Sequence, residues 1–241
     1  MSYSDYSEQI PMQMSEQKRQ EGMALAFANL YKWMFFGMLV TAGAAFSVIS
    51  FAPLRNLILG NQMVYMAVAF APLALVLYIG ARMNKMSSGQ ALNWFFIYSA
   101  VTGLGLAPIF LIYTGGSIVS AFALTGGLFG LMSFAGFVLK RDLSKFGPIL
   151  FFGIIGIVIA SVVNFFLQNS MLDMIITWIG IPLFLALTVW KTQNTKQQLE
   201  RAIPTGNQEL VNKISIMGAL TLYISFINLF WFILKVIGNR R

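Results

Sequence analysis

The sequence contains no cysteine and no histidine. Without cysteine there is no disulfide framework, thiolate metal site or thiol nucleophile. Without histidine, imidazole-built zinc sites, Ser-His-Asp triads and histidine proton relays are excluded as well. Charge is scarce too: charged residues make up 10% of the 241, and 58% are hydrophobic, against about 25% charged in a soluble domain. So little polar surface excludes a soluble enzyme, a secreted module and a disordered regulator. No metal or cofactor site is assigned.

What the chain does have is long apolar runs with basic clusters between them. The net charge of +8 is not a nucleic-acid signature. Phosphate-binding residues gather on one face or stripe, whereas these sixteen Lys and Arg lie in the gaps between apolar runs, as the loops of inserted membrane proteins do. A membrane helix needs about 20 apolar residues. Uncharged runs cover 33–54, 56–81, 86–139, 146–172, 174–190 and 214–234. The third is too long for one helix and breaks at Tyr113-Thr114-Gly115-Gly116-Ser117, a strong turn signal. Seven helical spans result, near 32–51, 63–81, 91–112, 118–139, 148–167, 172–190 and 214–236. The expected fold is an all-α membrane protein, a seven-transmembrane-helix bundle.

Residues 1–30 are polar and read as a cytoplasmic tail, either disordered or carrying an interfacial helix from Ser15 to Leu30. Residues 31–238 form the membrane domain. Twelve basic residues fall in the tail and in loops 2–3, 4–5 and 6–7, and four fall on the other side. That asymmetry predicts a cytoplasmic N-terminus. The basic tip Asn239-Arg240-Arg241 opposes this count and leaves the exit side of the last helix open.

Ionisable residues deep in a membrane are the default pointers to function, and the spans hold almost none. All eight carboxylates fall in tails, loops or span ends. Retinal-type pumps, intramembrane aspartyl proteases and rhomboid dyads therefore lack their residues, and the chain reads as a non-enzyme. Uncharged polar candidates remain: Asn164 in span 5, and Tyr223, Ser225 and Asn228 in span 7. Ser225 and Asn228 share a face, which predicts a partner for Asn228 on a neighbouring helix. These residues line a polar pathway or act as structural glue, the commoner role. Arg82 and Lys191 end spans 2 and 6 and are expected to snorkel to the interface. Gly126-xxx-Gly130 and Gly156-xxx-Ala160 are candidate close-packing faces. Pro72, Pro108 and Pro182 are candidate kinks.

Several stretches resemble the Bax inhibitor-1 (YccA-like) family. Span 3 carries Tyr98, Gly103, Leu106, Pro108 and Ile109. Span 4 leads into Lys140-Arg141-Asp142-Leu143-Ser144, and span 5 closes with Asn164-x-Phe166-Leu167. Span 7 reads Ala219-Leu220-x-Leu222-Tyr223-x-x-Phe226-Ile227-Asn228-Leu229-Phe230. The resemblance covers residues 30–238. It implies a bundle wrapped around a central last helix, and one of two roles: a proton-gated calcium leak, or a partner restraining a membrane-bound protease.

In members that leak calcium, the resemblance implies a pH sensor made of two aspartates, at the end of span 6 and within span 7, with an arginine at the end of span 2. The corresponding residues here are Lys191, Ser225 and Arg82, so both carboxylates are missing. Paired carboxylates repel and hold a proton that is released near neutrality. A lysine and a serine do not, and a cationic lining repels a divalent cation. The leading expectation is an interaction partner or modulator of a membrane protease or other membrane complex. The alternative is a calcium leak channel with altered or lost proton gating. The expected location is a bacterial cytoplasmic (inner) membrane, because the tails are short and carry no sorting signal. The expected partners are the lipid bilayer, with a membrane-bound protease or calcium ions by resemblance, and no nucleic acid.

Overall fold

The computed structural model describes residues 16–241. Along them run α1 (Glu16–Ser50), α2 (Ala52–Leu59), α3 (Gln62–Arg82), α4 (Ser88–Leu106), α5 (Ile109–Ile112), α6 (Gly115–Val138), α7 (Gly147–Leu167), α8 (Ser170–Ala202) and α9 (Gln208–Ile237). Seven of these segments, with α4 and α5 counted together, are long and apolar enough to cross a membrane. Five of the seven starts carry capping oxygens, because first-turn N–H groups have no intrahelical partner and lipid supplies none. Thr114, Asn169 and Asn207 accept a first-turn N–H at the heads of α6, α8 and α9. Ser87 and Gln90 form a reciprocal capping box at α4. Pro108 ends α4 and separates it from α5, whereas Pro72 and Pro182 lie within α3 and α8.

The last helix is the core. α9 packs against α8, α1, α6 and α4, while α3 leans on α4 and α7 on α8 at the periphery. Its most apolar stretch is 56% buried, against 6% for α3 and 0% for α7. Fully buried Tyr223, Leu220, Leu222, Leu229 and Leu234 face the surrounding helices. The expected bundle around a central last helix is what forms.

Two boundaries differ from those read off apolarity. α1 is one helix from Glu16 to Ser50, with Met23, Ala26, Phe27 and Leu30 buried. Within the described residues no separate interfacial helix exists before Leu30, and residue 30 falls inside α1; Ser15 lies outside the described residues. α8 likewise continues past Trp190 to Ala202, burying Thr192, Gln193, Thr195 and Leu199. Apolarity marks the stretch that crosses hydrocarbon, but a helix that leaves the membrane against other protein can stay packed with polar residues.

The chain ends at the opposite end of the bundle from the α3–α4, α6–α7 and α8–α9 turns. Thr114 N–H donates to Asn239 O at 3.2 Å, Arg241 N–H to Ile112 O at 2.8 Å, and Asn239 N–H to Ser117 Oγ at 2.9 Å. The tip Asn239-Arg240-Arg241 is thereby fixed beside the α5–α6 turn.

The expected small-residue faces are not where the helices touch. A Cβ at Gly126, Gly130 or Gly156 would meet nothing within 4 Å. The close approaches are elsewhere. A Cβ at Gly103 would stand 2.3 Å from Thr41 O, and one at Gly136 would stand 2.4 Å from Val189 O. A spacing of four shows that two residues share a face, not which face turns inward. Gly136→Ala should therefore force α6 from α8 and cost about 1–3 kcal/mol, whereas Gly126→Ala should not destabilise. Thermal unfolding of both variants in detergent checks this pair.

Candidate functional site

Two of the positions singled out by the sequence, Lys191 and Ser225, meet on the seam between α8 and α9. Thr221 and Ser225, one turn apart, present their oxygens to α8. Lys191 Nζ donates to Thr221 O at 3.0 Å and to Ser225 Oγ at 3.1 Å. The Ser225 hydroxyl in turn donates to Thr221 O at 3.2 Å. Lys191 thus does not snorkel outward as expected. Its ammonium turns into the bundle and touches Ser225 directly, because α8 stays packed on α9 beyond the apolar run. Among the described residues no carboxylate forms an ion pair with it; the ion pairs there are Arg19–Glu16, Lys196–Glu200 and Lys235–Asp173.

Tyr223 faces the other way. Its hydroxyl bonds Thr41 Oγ1 on α1. The Thr41 proton is committed to Gly37 O at 2.9 Å and Ser99 O at 3.0 Å, so Tyr223 is the donor. Its ring packs edge-on against Phe95 and Tyr98. This is glue between α9, α1 and α4.

The other candidates lie apart. Arg82 is exposed, its guanidinium 5.8 Å from the Tyr78 ring centre. Asn228 is half-buried and bonds its own helix, Nδ2 to Ile224 O at 2.8 Å, which corrects the expected interhelical bond. An Asn can reach the carbonyl one turn back without a neighbour. Asn164 is not interior either: its Oδ1 accepts Asn169 N–H at 3.0 Å and closes the α7–α8 turn. There Gln168 adopts a left-handed backbone with φ 50°.

Sequence reasoning missed Gln193. It is buried, its Oε1 accepts Leu143 N–H at 2.8 Å, and its Nε2 donates to Leu139 O at 3.1 Å and Arg141 O at 2.9 Å. The loop Lys140-Arg141-Asp142-Leu143-Ser144 is thereby clamped to α8. Asp142 Oδ1 also accepts Ser144 Oγ–H at 2.6 Å and Ser144 N–H at 2.9 Å. Those bonds hold its carboxyl below the usual aspartate range. The missed signal was a helical period continuing through polar residues after Trp190. Tyr31 and Ser133 were also missed. Their hydroxyls bond each other, and Ser133 bonds Thr192 Oγ1 at 3.0 Å.

Residues 24–241 match the family model described as "Inhibitor of apoptosis-promoting Bax1". The chain belongs to the Bax inhibitor-1 family. It is 44% identical over 220 residues to the inner membrane protein YbhL of Escherichia coli, covering 91% of this chain and 94% of that protein. It is 36% identical over 237 residues to an uncharacterized protein of Rickettsia prowazekii, covering 98% and 99%. A third relative is an uncharacterized membrane protein of Streptococcus pyogenes, 29% identical over 223 residues, covering 91% and 94%. This family member is a multi-pass membrane protein, and none of these names states an enzymatic activity.

The two cross-helix contacts of α9 should differ in energetic sign. Tyr223→Phe removes a donor between two packed helices and should cost about 0.6–1.7 kcal/mol. Lys191→Met removes a desolvated ion but leaves both oxygens bonded within α9, so stability should be unchanged or raised. Thermal unfolding in detergent measures both, with Asn228→Leu as a control expected within about 0.5 kcal/mol of the parent.

Proposed function

We propose that this Bax inhibitor-1 family member acts as an interaction partner of a membrane-bound protease or another membrane complex, and not as a calcium conduit. The observation that carries this reading is the Lys191 ammonium on Thr221 O and Ser225 Oγ. The resemblance assigns carboxylates to positions 191 and 225, and a divalent cation needs hard oxygen ligands with negative charge. A tethered cation at that place opposes calcium entry. Among the described residues no carboxylate pairs with Lys191, so the implied two-carboxylate coupling has no counterpart here. The unpaired lateral face of α7, with Ile149, Phe151, Phe152, Ile159, Val163 and Phe166 exposed, gives a partner helix a surface to pack on. An N-terminus on the cytoplasmic side of a bacterial inner membrane is part of the proposal, supported by the twelve-to-four basic asymmetry.

Liposome flux separates this role from a leak. The unmodified protein should pass no calcium above empty vesicles between about pH 5 and 8. Lys191→Asp combined with Ser225→Asp should create an acid-sensitive flux, with each single change doing less. A robust proton-gated leak from the unmodified chain would overturn the proposal. In membranes, a photo-crosslinker at Phe152 should capture a membrane protein, and a substitution at neighbouring Ile159 that abolishes capture should leave the fold intact.

Topology is tested separately. The chain has no cysteine, so single cysteines at Ser87, Ser144 and Thr205 should resist an impermeant thiol reagent in intact cells. Labelling of any two would reverse the orientation.

A further inference from the structure

A cavity of about 570 Å³ opens sideways between α1 and α6. Phe27, Tyr31, Met38, Gly126, Gly130 and Phe137 form its walls, and buried Phe129 and Phe226 form its floor. The two helices close on each other at one end. There the Phe27 and Phe137 rings meet edge-on at 4.9 Å, and Tyr31 bonds Ser133. Away from that end the two glycines leave open space, since a Cβ at either would touch nothing within 4 Å.

Length is the first argument for an occupant. Phe27 to Met38 along α1, and Gly126 to Phe137 along α6, each span about 16 Å at a rise of about 1.5 Å per residue. That is the hydrocarbon depth of one leaflet, half of about 30 Å. A single extended acyl chain matches that length.

Charge is the second argument. A second cavity of about 290 Å³ shares Phe137 with the first, and the charged residues among its lining are Glu16, Arg19, Lys196 and Glu200. Lys196 Nζ donates to Phe137 O at 2.9 Å and lies 4.9 Å from the Phe137 ring centre, so this cationic group stands at the mouth of the apolar cleft. Arg19 sits 3.5 Å from Glu16, and Lys196 sits 3.8 Å from Glu200. Two cations and two carboxylates together match a head carrying one phosphate and one ammonium. A purely anionic head would leave both carboxylates opposed. The hydroxyl chain adds an acceptor. Thr192 donates to Thr188 O, so Ser133 donates to Thr192 and Tyr31 donates to Ser133. The Tyr31 oxygen keeps its lone pairs beside the cleft.

We infer that the α1–α6 cleft is a binding site for one zwitterionic, amine-headed phospholipid, with an acyl chain between Phe129 and Gly130 and its phosphate between Arg19 and Lys196. The lipid belongs to the leaflet at the α1 N-terminal end.

The test uses the full chain, delipidated in detergent and then offered equimolar phosphatidylethanolamine and phosphatidylglycerol in mixed micelles, with retained lipid counted by native mass spectrometry. One phosphatidylethanolamine per chain is expected. Gly126→Leu with Gly130→Leu points side chains into open space and should reduce retention at least about tenfold without loss of thermal stability. Arg19→Gln with Lys196→Gln should also reduce it by about tenfold, the scale of one lost charge-assisted hydrogen bond. Equal retention of both lipids, preference for phosphatidylglycerol, or unchanged retention in the folded glycine variant would overturn the proposal. If the glycine variant fails to fold, the Arg19 and Lys196 variant decides alone.

Discussion

Lipid offers no hydrogen bonds, and α9 is enclosed by protein along most of its length, so each of its polar side chains needs an answer within the bundle. Most are answered by α9 itself. Ser215, Thr221, Ser225 and Asn228 each bond a carbonyl three or four residues earlier in their own helix. Two cross-links remain, and they fix how the neighbours sit. Tyr223 is too long to bond back and reaches Thr41 on α1. On the other side, Lys191 brings α8 onto Thr221 and Ser225. The ends are held by charge: Glu209 accepts from the Ser88 backbone and side chain at the head of α4, and Lys235 pairs with Asp173 at the start of α8. With register set at both faces and both ends, the apolar side chains need only pack.

That division explains which parts of the molecule were legible in the sequence. Seven spans, their order and the central place of the last one follow from apolar run length and from a resemblance carried largely by α9. These are properties of whole segments, and they survive local error. The directions of individual side chains do not follow. Gly126 and Gly136 lie on one helix, yet one borders open space and the other touches Val189 O. Nothing in the spacing distinguishes them. Asn228 likewise carries the same sequence signal whether it bonds a neighbour or its own helix. The extents of α1 and α8 were hidden for another reason. Both continue through polar residues, which a hydropathy reading treats as exits from the membrane although Leu30, Gln193 and Leu199 are buried there.

Near the α6–α7 loop, α1, α6 and α8 form one polar assembly on that hidden part. Gln193 holds three backbone groups of the 139–143 loop, and Lys196 holds Phe137 O. Tyr31, Ser133 and Thr192 add a chain of hydroxyls. α6 is therefore anchored at this end as well as at its start, and its glycines face the cleft between. Between the ties at the two ends of α6 its glycine face leaves a lateral gap toward α1.

The lysine at the centre of the seam sets the electrostatics of that place. Thr221 O and Ser225 Oγ are oxygens turned toward α8 and suited to a cation. Between two carboxylates such a place would need a proton or a mobile ion to relieve repulsion, and its occupancy would change with pH and ion supply. Here the cation is part of the chain. Lys191 brings a positive charge on a flexible stem whose donors reach both oxygens at about 3 Å, so nothing has to enter for the oxygens to be satisfied. An ion arriving there would have to displace a tethered competitor with no carboxylate to favour the exchange. The contact that joins α8 to α9 and the cation that satisfies those oxygens are thus one interaction.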